Sequence, residues 1–177
     1  MPKSELLTPK FLTAKIAEEA VGHVLDTIYK TGVTRFLNRE QMCHVVVLVP
    51  AMERPLFAEA GTKWTNYVTQ PHFLYHHSVG RTRWPYRFDD IASSKALQLW
   101  HDRNDGQADI MPHLLFSGDA PFWGGVKRSG IVVTCSGVQP YFDRMIAGMA
   151  ADMCIGLAYH AWMESDDKKD DERCFLT

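Results

Sequence analysis

The chain has 177 residues, of which 46% are apolar and 23% are charged, and its formal net charge is −2 at pH 7. This length suffices for one well-buried core, and the charge offers no basic surface to nucleic acid or to an anionic membrane. No apolar run approaches the roughly 18 residues of a membrane span, and the N-terminal residues lack the apolar segment of a signal peptide. We therefore expect a cytoplasmic protein that binds neither nucleic acid nor membranes.

The first predicted elements are a helix and a hairpin. Thr8 and Pro9 suit the start of a helix, and an apolar residue then recurs at every fourth position from Leu12 to Ile28. The run from His44 to Val49 is aliphatic on both faces, which is typical of a buried central strand. The segment from Pro55 to Ala60 is predicted to return as the second strand.

The segment from Gly61 to Arg87 has no clear periodicity, and we predict that it is irregular. Within it, His72 and His76 have a spacing that would suit a metal on a helix, but Pro71 disfavours a helix and no carboxylate or thiolate lies nearby, so no metal site is predicted. The run from Arg81 to Arg87 carries three arginines among aromatic residues. That composition indicates either a pocket for a planar carboxylate or an oligomer interface.

The second half of the chain predicts a helix from Asp90 to Trp100, a buried strand from Ile131 to Thr134 and a long helix from Pro140 to Trp162. The apolar stripe of the long helix is predicted to consist of Phe142, Met145, Ile146, Met149, Met153 and Leu157. The order of elements predicts an α+β fold in which helices flank an antiparallel sheet. We expect one domain over residues 1–165 and a charged, solvated tail over residues 166–177.

The four cysteines have no paired spacing, which indicates free thiols rather than a disulfide framework or a zinc site. The last four residues, which begin with Cys174, resemble a prenylation signal. Threonine is atypical at the last position of such a signal, and no basic run precedes it. These departures weigh against lipidation of Cys174.

Several motifs in the second half resemble those of a known family. The glycine turn Phe122–Val126 precedes a strand that ends in Cys135-Ser136-Gly137, and Asp143 follows early in the next helix. Together with Lys95-Ala96 on the central helix, this pattern resembles the GlcG/HbpS-like (heme-degrading-like) domain family. The chain departs from the family at Thr134, where glycine is usual.

The resemblance implies a profilin-like arrangement of the sheet and helices, and it implies homo-oligomers. It also implies heme as a candidate cofactor, with His23 on the opening helix as a candidate axial ligand. Lys95 matches the central-helix lysine of the family. Its partner is either a ligand carboxylate or Asp143.

Two functions follow from these patterns. The first is a small-ligand-binding protein that holds heme or another flat, carboxylate-bearing molecule. The second is a cofactor-free enzyme, an isomerase, dehydratase or cyclase, that uses histidine in general acid–base catalysis. In both cases one pocket in the irregular segment is expected, with Trp123 from the glycine turn as its aromatic wall. The candidate catalytic residues are His76, His77 and Tyr86, and the candidate ligand-binding residues are His23, Arg83, Trp84, Lys95 and Trp123.

Overall fold

A five-stranded antiparallel sheet with helices on both faces forms the fold in the computed structural model, which describes residues 6–30, 41–53 and 69–169. The strands are β1 (Leu6–Leu7), β2 (Cys43–Glu53), β3 (Gln70–Val79), β4 (Gly125–Arg128) and β5 (Ile131–Ser136). The helices are α1 (Ala14–Lys30), α2 (Phe88–Trp100), α3 (Pro140–Met163) and α4 (Asp166–Lys169). The predicted α+β class, with an antiparallel sheet flanked by helices, is confirmed.

The strand β2 lies at the centre of the sheet. It pairs with β3 from Cys43 to Ala51 and with β5 from His44 to Leu48. Side chains alternate along a strand, so one set, which includes Val45 and Val47, packs under α1 and α3, while Val46 and Leu48 pack under α2. Both faces of β2 are therefore covered, which explains why its sequence is apolar without alternation.

The opening helix starts later than predicted. The Oγ1 atom of Thr13 accepts a hydrogen bond from the Ile16 backbone N–H at 3.3 Å, so Thr13, rather than Thr8, caps α1. The predicted strand from Pro55 to Ala60 lies outside the described residues. Among the described residues, no helix has the length and the apolar content to cross a membrane.

The prediction that Gly61 to Arg87 is irregular is wrong for the middle of this segment, because Gln70–Val79 is the ten-residue strand β3. Its backbone groups are satisfied by β2, a partner distant in sequence that periodicity within the segment does not reveal. A β-bulge interrupts the pairing, since Val47 lies opposite Tyr75 while Leu48 lies opposite Phe73. The extra residue is Leu74.

The helix α3 packs through small side chains as well as through part of the predicted stripe, of which Ile146 is buried and Met145, Met153 and Leu157 are partly buried against the core. Ile146, Ala147, Ala150, Ala151 and Cys154 are fully buried against the sheet and α1. Met149 is 38% exposed, so its predicted place in the core is wrong. Alanines let the helix lie close to the sheet, which leaves the longer methionines at the margins of the contact.

Neighbouring aspartate substitutions on α3 test this packing. We expect Ala150→Asp to lower the free energy of unfolding by several kcal/mol, because it places an unpaired charge at a position with 0% exposure. Met149→Asp is expected to cost less than about 1 kcal/mol, since the carboxylate reaches water. Urea unfolding of both variants measures the difference. Equal losses would show that the helix face has been assigned wrongly.

The predicted charged tail begins with structure. Residues 166–169 form the short helix α4, in which Asp167 makes an ion pair with Lys10. The Lys168 ammonium lies 4.5 Å from the centre of the Trp162 ring. The start of the tail is thus attached to the domain, and residues 170–177, with Cys174, lie outside the described residues.

Candidate functional site

Two cavities lie on the side of the sheet that α2 covers. The first, which we name the Lys95 pocket, has a volume of about 340 Å³. Its floor and walls come from α2, the end of β5, the start of α3 and aromatic side chains on the loops: Tyr86, Phe88, Ile91, Lys95, Phe122, Asp143 and residues 136–140. The second, which we name the histidine cleft, has a volume of about 310 Å³ and is lined by His44, Val46, Phe73, His76, Arg81, Asp89 and Ser93.

A buried ion pair lies at the base of the Lys95 pocket. Lys95 is 2% exposed, and its Nζ donates to Asp143 Oδ2 at 3.0 Å and to the Cys135 backbone oxygen at 3.0 Å. The other carboxylate oxygen of Asp143 accepts the Val138 backbone N–H at 3.1 Å. Burial raises the pKa of Asp143, and the adjacent Lys95 ammonium only partly opposes that rise. Of the two partners that the sequence allowed for Lys95, the structure shows Asp143.

The glycine turn before β4 makes room for this ion pair. Gly124 has a φ of +123°, and a Cβ there would lie 2.7 Å from the Asp143 Cβ and 3.2 Å from the Lys95 Nζ. Only glycine fits this position without displacing the pair. The glycine pattern that is prominent in the sequence therefore shapes the base of the pocket.

Aromatic side chains form the walls of the Lys95 pocket. Tyr86 is 71% exposed and Phe122 is 49% exposed, while Phe88 is buried. Ser136 adds a hydroxyl at the end of β5, next to the buried ion pair. A mainly apolar cavity with a few converging polar groups is the usual form of a small-molecule site.

In the histidine cleft, two imidazole rings approach each other across neighbouring strands. His44 on β2 and His76 on β3 have ring centroids 5.5 Å apart and planes inclined at 35°. His44 is 4% exposed, and its Nδ1 shares a hydrogen bond of 2.8 Å with the Ser78 hydroxyl. Burial, followed by the nearby His76, lowers the pKa of His44 to about 4. His44 is therefore neutral at pH 7.

A carboxylate and a guanidinium also line the histidine cleft. Arg81 donates to Asp89 Oδ2 at 3.0 Å. Partial burial works against ionisation of Asp89, but the Asp90 backbone N–H and the Arg87 and Arg81 guanidiniums outweigh it and lower the pKa of this carboxyl. Asp89 therefore carries a fixed negative charge at neutral pH.

Comparisons of the chain with protein-family models, with curated proteins and with solved structures find no match. The resemblance to the GlcG/HbpS-like family therefore stays a prediction from the sequence motifs. Within the described residues, no group of three or more histidine, cysteine, aspartate or glutamate side chains could hold a metal ion.

The structure does not bring the predicted pocket residues together in one cavity. His76 lines the histidine cleft, and Tyr86 and Lys95 line the Lys95 pocket. His77 is the neighbour of His76 on a strand, so it faces the opposite side of the sheet, where its Nδ1 lies 3.2 Å from the Tyr75 hydroxyl. A single pocket containing both histidines is therefore excluded by the strand geometry.

The other residues predicted to line the pocket, which are Arg83, Trp84 and Trp123, do not line either cavity. Trp84 donates from Nε1 to the Val79 backbone oxygen at 2.8 Å, and its ring contacts His44 of one cavity and Phe88 of the other. The Trp84 ring therefore lies between the two cavities. Arg83 is exposed in a short 3-10 turn, and Trp123 lines neither cavity.

His23 does not fit the role of an axial heme ligand in an enclosed pocket. Its side chain is 63% exposed on α1, 3.8 Å from Glu19, and α1 lies on the opposite side of the sheet from both cavities. Gly22 beside it has open space, but neither cavity reaches it. We derive no role for heme from these residues.

Proposed function

We propose that the protein binds a small, flat organic molecule in the Lys95 pocket and holds it by an acceptor oxygen, either a carboxylate or a carbonyl. The observation that carries this proposal is the buried Lys95 ammonium at the base of an otherwise apolar cavity. An ammonium has three N–H donors, and within the described residues Lys95 has two acceptors, Asp143 and the Cys135 carbonyl. The remaining donor is available to a ligand.

The walls of the pocket favour a planar ligand. Tyr86 and Phe122 expose aromatic surface at its edge, and such surface gains free energy when another apolar surface covers it. The Ser136 hydroxyl is a second donor to the same oxygen. Because Asp143 balances the charge of Lys95, the pocket does not require an anion. A carboxylate gains from the N-terminal end of α3, which begins at Pro140 beside the cavity.

The volume of about 340 Å³ lies near the lower limit for ligand pockets, which is roughly 300 Å³. This supports a ligand with one or two fused rings. A binding protein of this kind is the first of the two functions that the sequence favours. In this proposal Lys95 keeps its predicted ligand-binding role, Tyr86 binds the ligand instead of acting as a catalytic residue, and Phe122 replaces Trp123 as the aromatic wall.

The proposal is tested by isothermal titration with 2-naphthoate, with its methyl ester and with naphthalene. We expect saturable binding of naphthoate or of the ester, and weaker binding of naphthalene, which lacks an acceptor oxygen. Ser136→Ala and Phe122→Ala should each weaken binding by about two- to tenfold, the value of one hydrogen bond or one aromatic contact. Whichever of the two oxygen-bearing probes binds better identifies the acceptor group.

The matched control is Phe116→Ala. Phe116 is 70% exposed and lines neither cavity, so its removal should leave naphthoate affinity unchanged. Loss of affinity in the Phe116 variant, or equal affinity for all three compounds, would contradict a specific site around Lys95.

A further inference from the structure

We propose that the histidine cleft is a second, separate site at which His76 and His44 perform general acid–base catalysis on a small molecule that carries an acidic C–H bond. The reaction class is proton transfer without a cofactor, as in isomerisation or elimination. This goes beyond ligand binding in the Lys95 pocket, because it needs neither Lys95 nor the aromatic walls around it.

The first support is the spacing of the two imidazoles. Their ring centroids are 5.5 Å apart, and no hydrogen bond joins the two rings among the described residues. One substrate group placed against the neighbouring edges of both rings can therefore contact a nitrogen of each. The rings come from adjacent strands: His76 lies opposite Val46, and His44 lies two residues before Val46 on the same face of β2. The two are diagonal neighbours, so the sheet fixes their separation.

The second support is the way in which His44 is held. Its Nδ1 is tied to the Ser78 hydroxyl at 2.8 Å, and the edge of the Trp84 ring packs against it at a centroid distance of 5.8 Å. A serine hydroxyl is both a donor and an acceptor. His44 therefore keeps this hydrogen bond in either tautomer, and its other nitrogen can give or take a proton without disturbing its position.

The charged groups around the cleft are compatible with this chemistry. His44 is next to His76, Asp89 and Arg81, and His77 acts on it from the opposite side of the sheet. Asp89 favours a proton on His44, while Arg81 and a protonated neighbouring histidine oppose it. Arg81 and Asp89 form an ion pair, so the negative charge of the carboxylate in the cleft is balanced by the guanidinium.

The apolar groups define the substrate further. Phe73 is 42% exposed at the cleft, and Val46 lies buried at its base. A small molecule with an apolar or aromatic face fits beside them. In the proposed step, a nitrogen of His76 takes the proton from the substrate carbon, and the C–H electron pair shifts into the substrate. In an isomerisation, the ring N–H of neutral His44 donates a hydrogen bond to the atom that receives this electron pair, and the proton held by His76 then passes to the product carbon, which restores the neutral His76 imidazole.

A substrate that reports only on base catalysis isolates this activity. In 5-nitrobenzisoxazole, removal of the ring C–H proton sends its electron pair into a new nitrile bond while the N–O bond breaks, and the product is a coloured phenolate. We expect the protein to accelerate this elimination with saturation kinetics. His76→Gln should lower kcat/KM at least about tenfold, since a positioned base contributes typically a hundredfold or more.

The matched control is His77→Gln, which changes the next residue of the same strand. Both side chains are exposed, but His77 faces away from the cleft, so the elimination should persist in this variant. His44→Asn, which retains a hydrogen-bonding partner for Ser78, should reduce the rate less than His76→Gln does, because this elimination reports on the base, and it should leave the circular dichroism of the folded protein unchanged.

Three results would overturn the proposal. They are the absence of any catalysis above that of an equal concentration of free imidazole, equal losses in the His76 and His77 variants, and loss of the elimination in Phe122→Ala. The last result would place the activity in the Lys95 pocket. The naphthoate titrations are unaffected by the outcome, so the two proposals can fail independently.

Discussion

Replacing Lys95 with methionine is expected to lower the free energy of unfolding by about 3–5 kcal/mol, because it leaves the Asp143 carboxylate buried without a cation. Asp143 is 2% exposed, and its remaining partner at Oδ1 is one backbone N–H. A loss of this size is a large part of the stability of a domain, which is typically about 5–15 kcal/mol. Urea unfolding at pH 7 measures it.

The double variant Lys95→Met/Asp143→Asn is the control. It removes both charges and keeps an amide oxygen for the Val138 N–H, so it should be considerably more stable than Lys95→Met alone. In the single variant, the buried carboxyl has a raised pKa, and protonation removes its charge. Its deficit relative to the wild type should therefore shrink as pH falls from 7 towards 5. Additive losses in the double variant would show that the two side chains do not stabilise each other.

The stability of the wild-type protein is expected to fall as pH decreases from about 6.5 to about 4, because of His44. Its pKa is lowered from 6.5 to about 4 in the folded protein, so between these values the unfolded chain binds a proton that the folded protein does not. The contribution of His44 to the free energy of unfolding is therefore fully present above the pKa of the unfolded chain. It is lost as pH falls towards the pKa in the folded protein. The loss is at most about 3 kcal/mol, reduced by the solvent that enters the cleft.

His44→Asn isolates this contribution from the carboxyl groups that titrate in the same range. The asparagine side chain can still bond to Ser78 but does not titrate. The difference in unfolding free energy between wild type and variant should shift by about 2–3 kcal/mol, in favour of the variant, as pH falls from 6.5 to 4. A difference that stays constant with pH would mean that His44 titrates normally in the folded protein.

The sequence predicts an element well when both of its faces are apolar, or when apolar residues recur regularly along one face. The strands β2 and β5 and the helix α2 are of this kind. The strand β3 is not, because its exposed side carries histidines and Phe73, and because its pairing partners on β2 are distant in sequence, as Val47 and Tyr75 show. On α3 the predicted stripe is correct at Ile146 but wrong at Met149, because alanines rather than Met149 face the sheet.

The candidate sites were predicted only in part, for the same reason. Lys95 and Asp143 are visible in the sequence as a motif, but their pairing depends on how α2 and α3 meet around the end of β5. His44 was missed as a partner of His76, because the two are brought together by strand register and are 32 positions apart. The β-strand assignment of residues 70–79 alone would have separated His76 from His77, since adjacent side chains on a strand face opposite ways.

The position of Trp84 between the cavities has a consequence for how their ligands would influence each other. Phe88 lines the Lys95 pocket and contacts Trp84, and Trp84 contacts His44 in the histidine cleft. A ligand that displaces Phe88 would also move Trp84 and so change the packing of Trp84 against His44. Thermodynamic reciprocity then requires that occupancy of the cleft changes affinity in the pocket by the same factor. Replacing Trp84 with a smaller side chain would remove the contact between the two cavities. The affinity for each ligand would then be independent of whether the other ligand is bound.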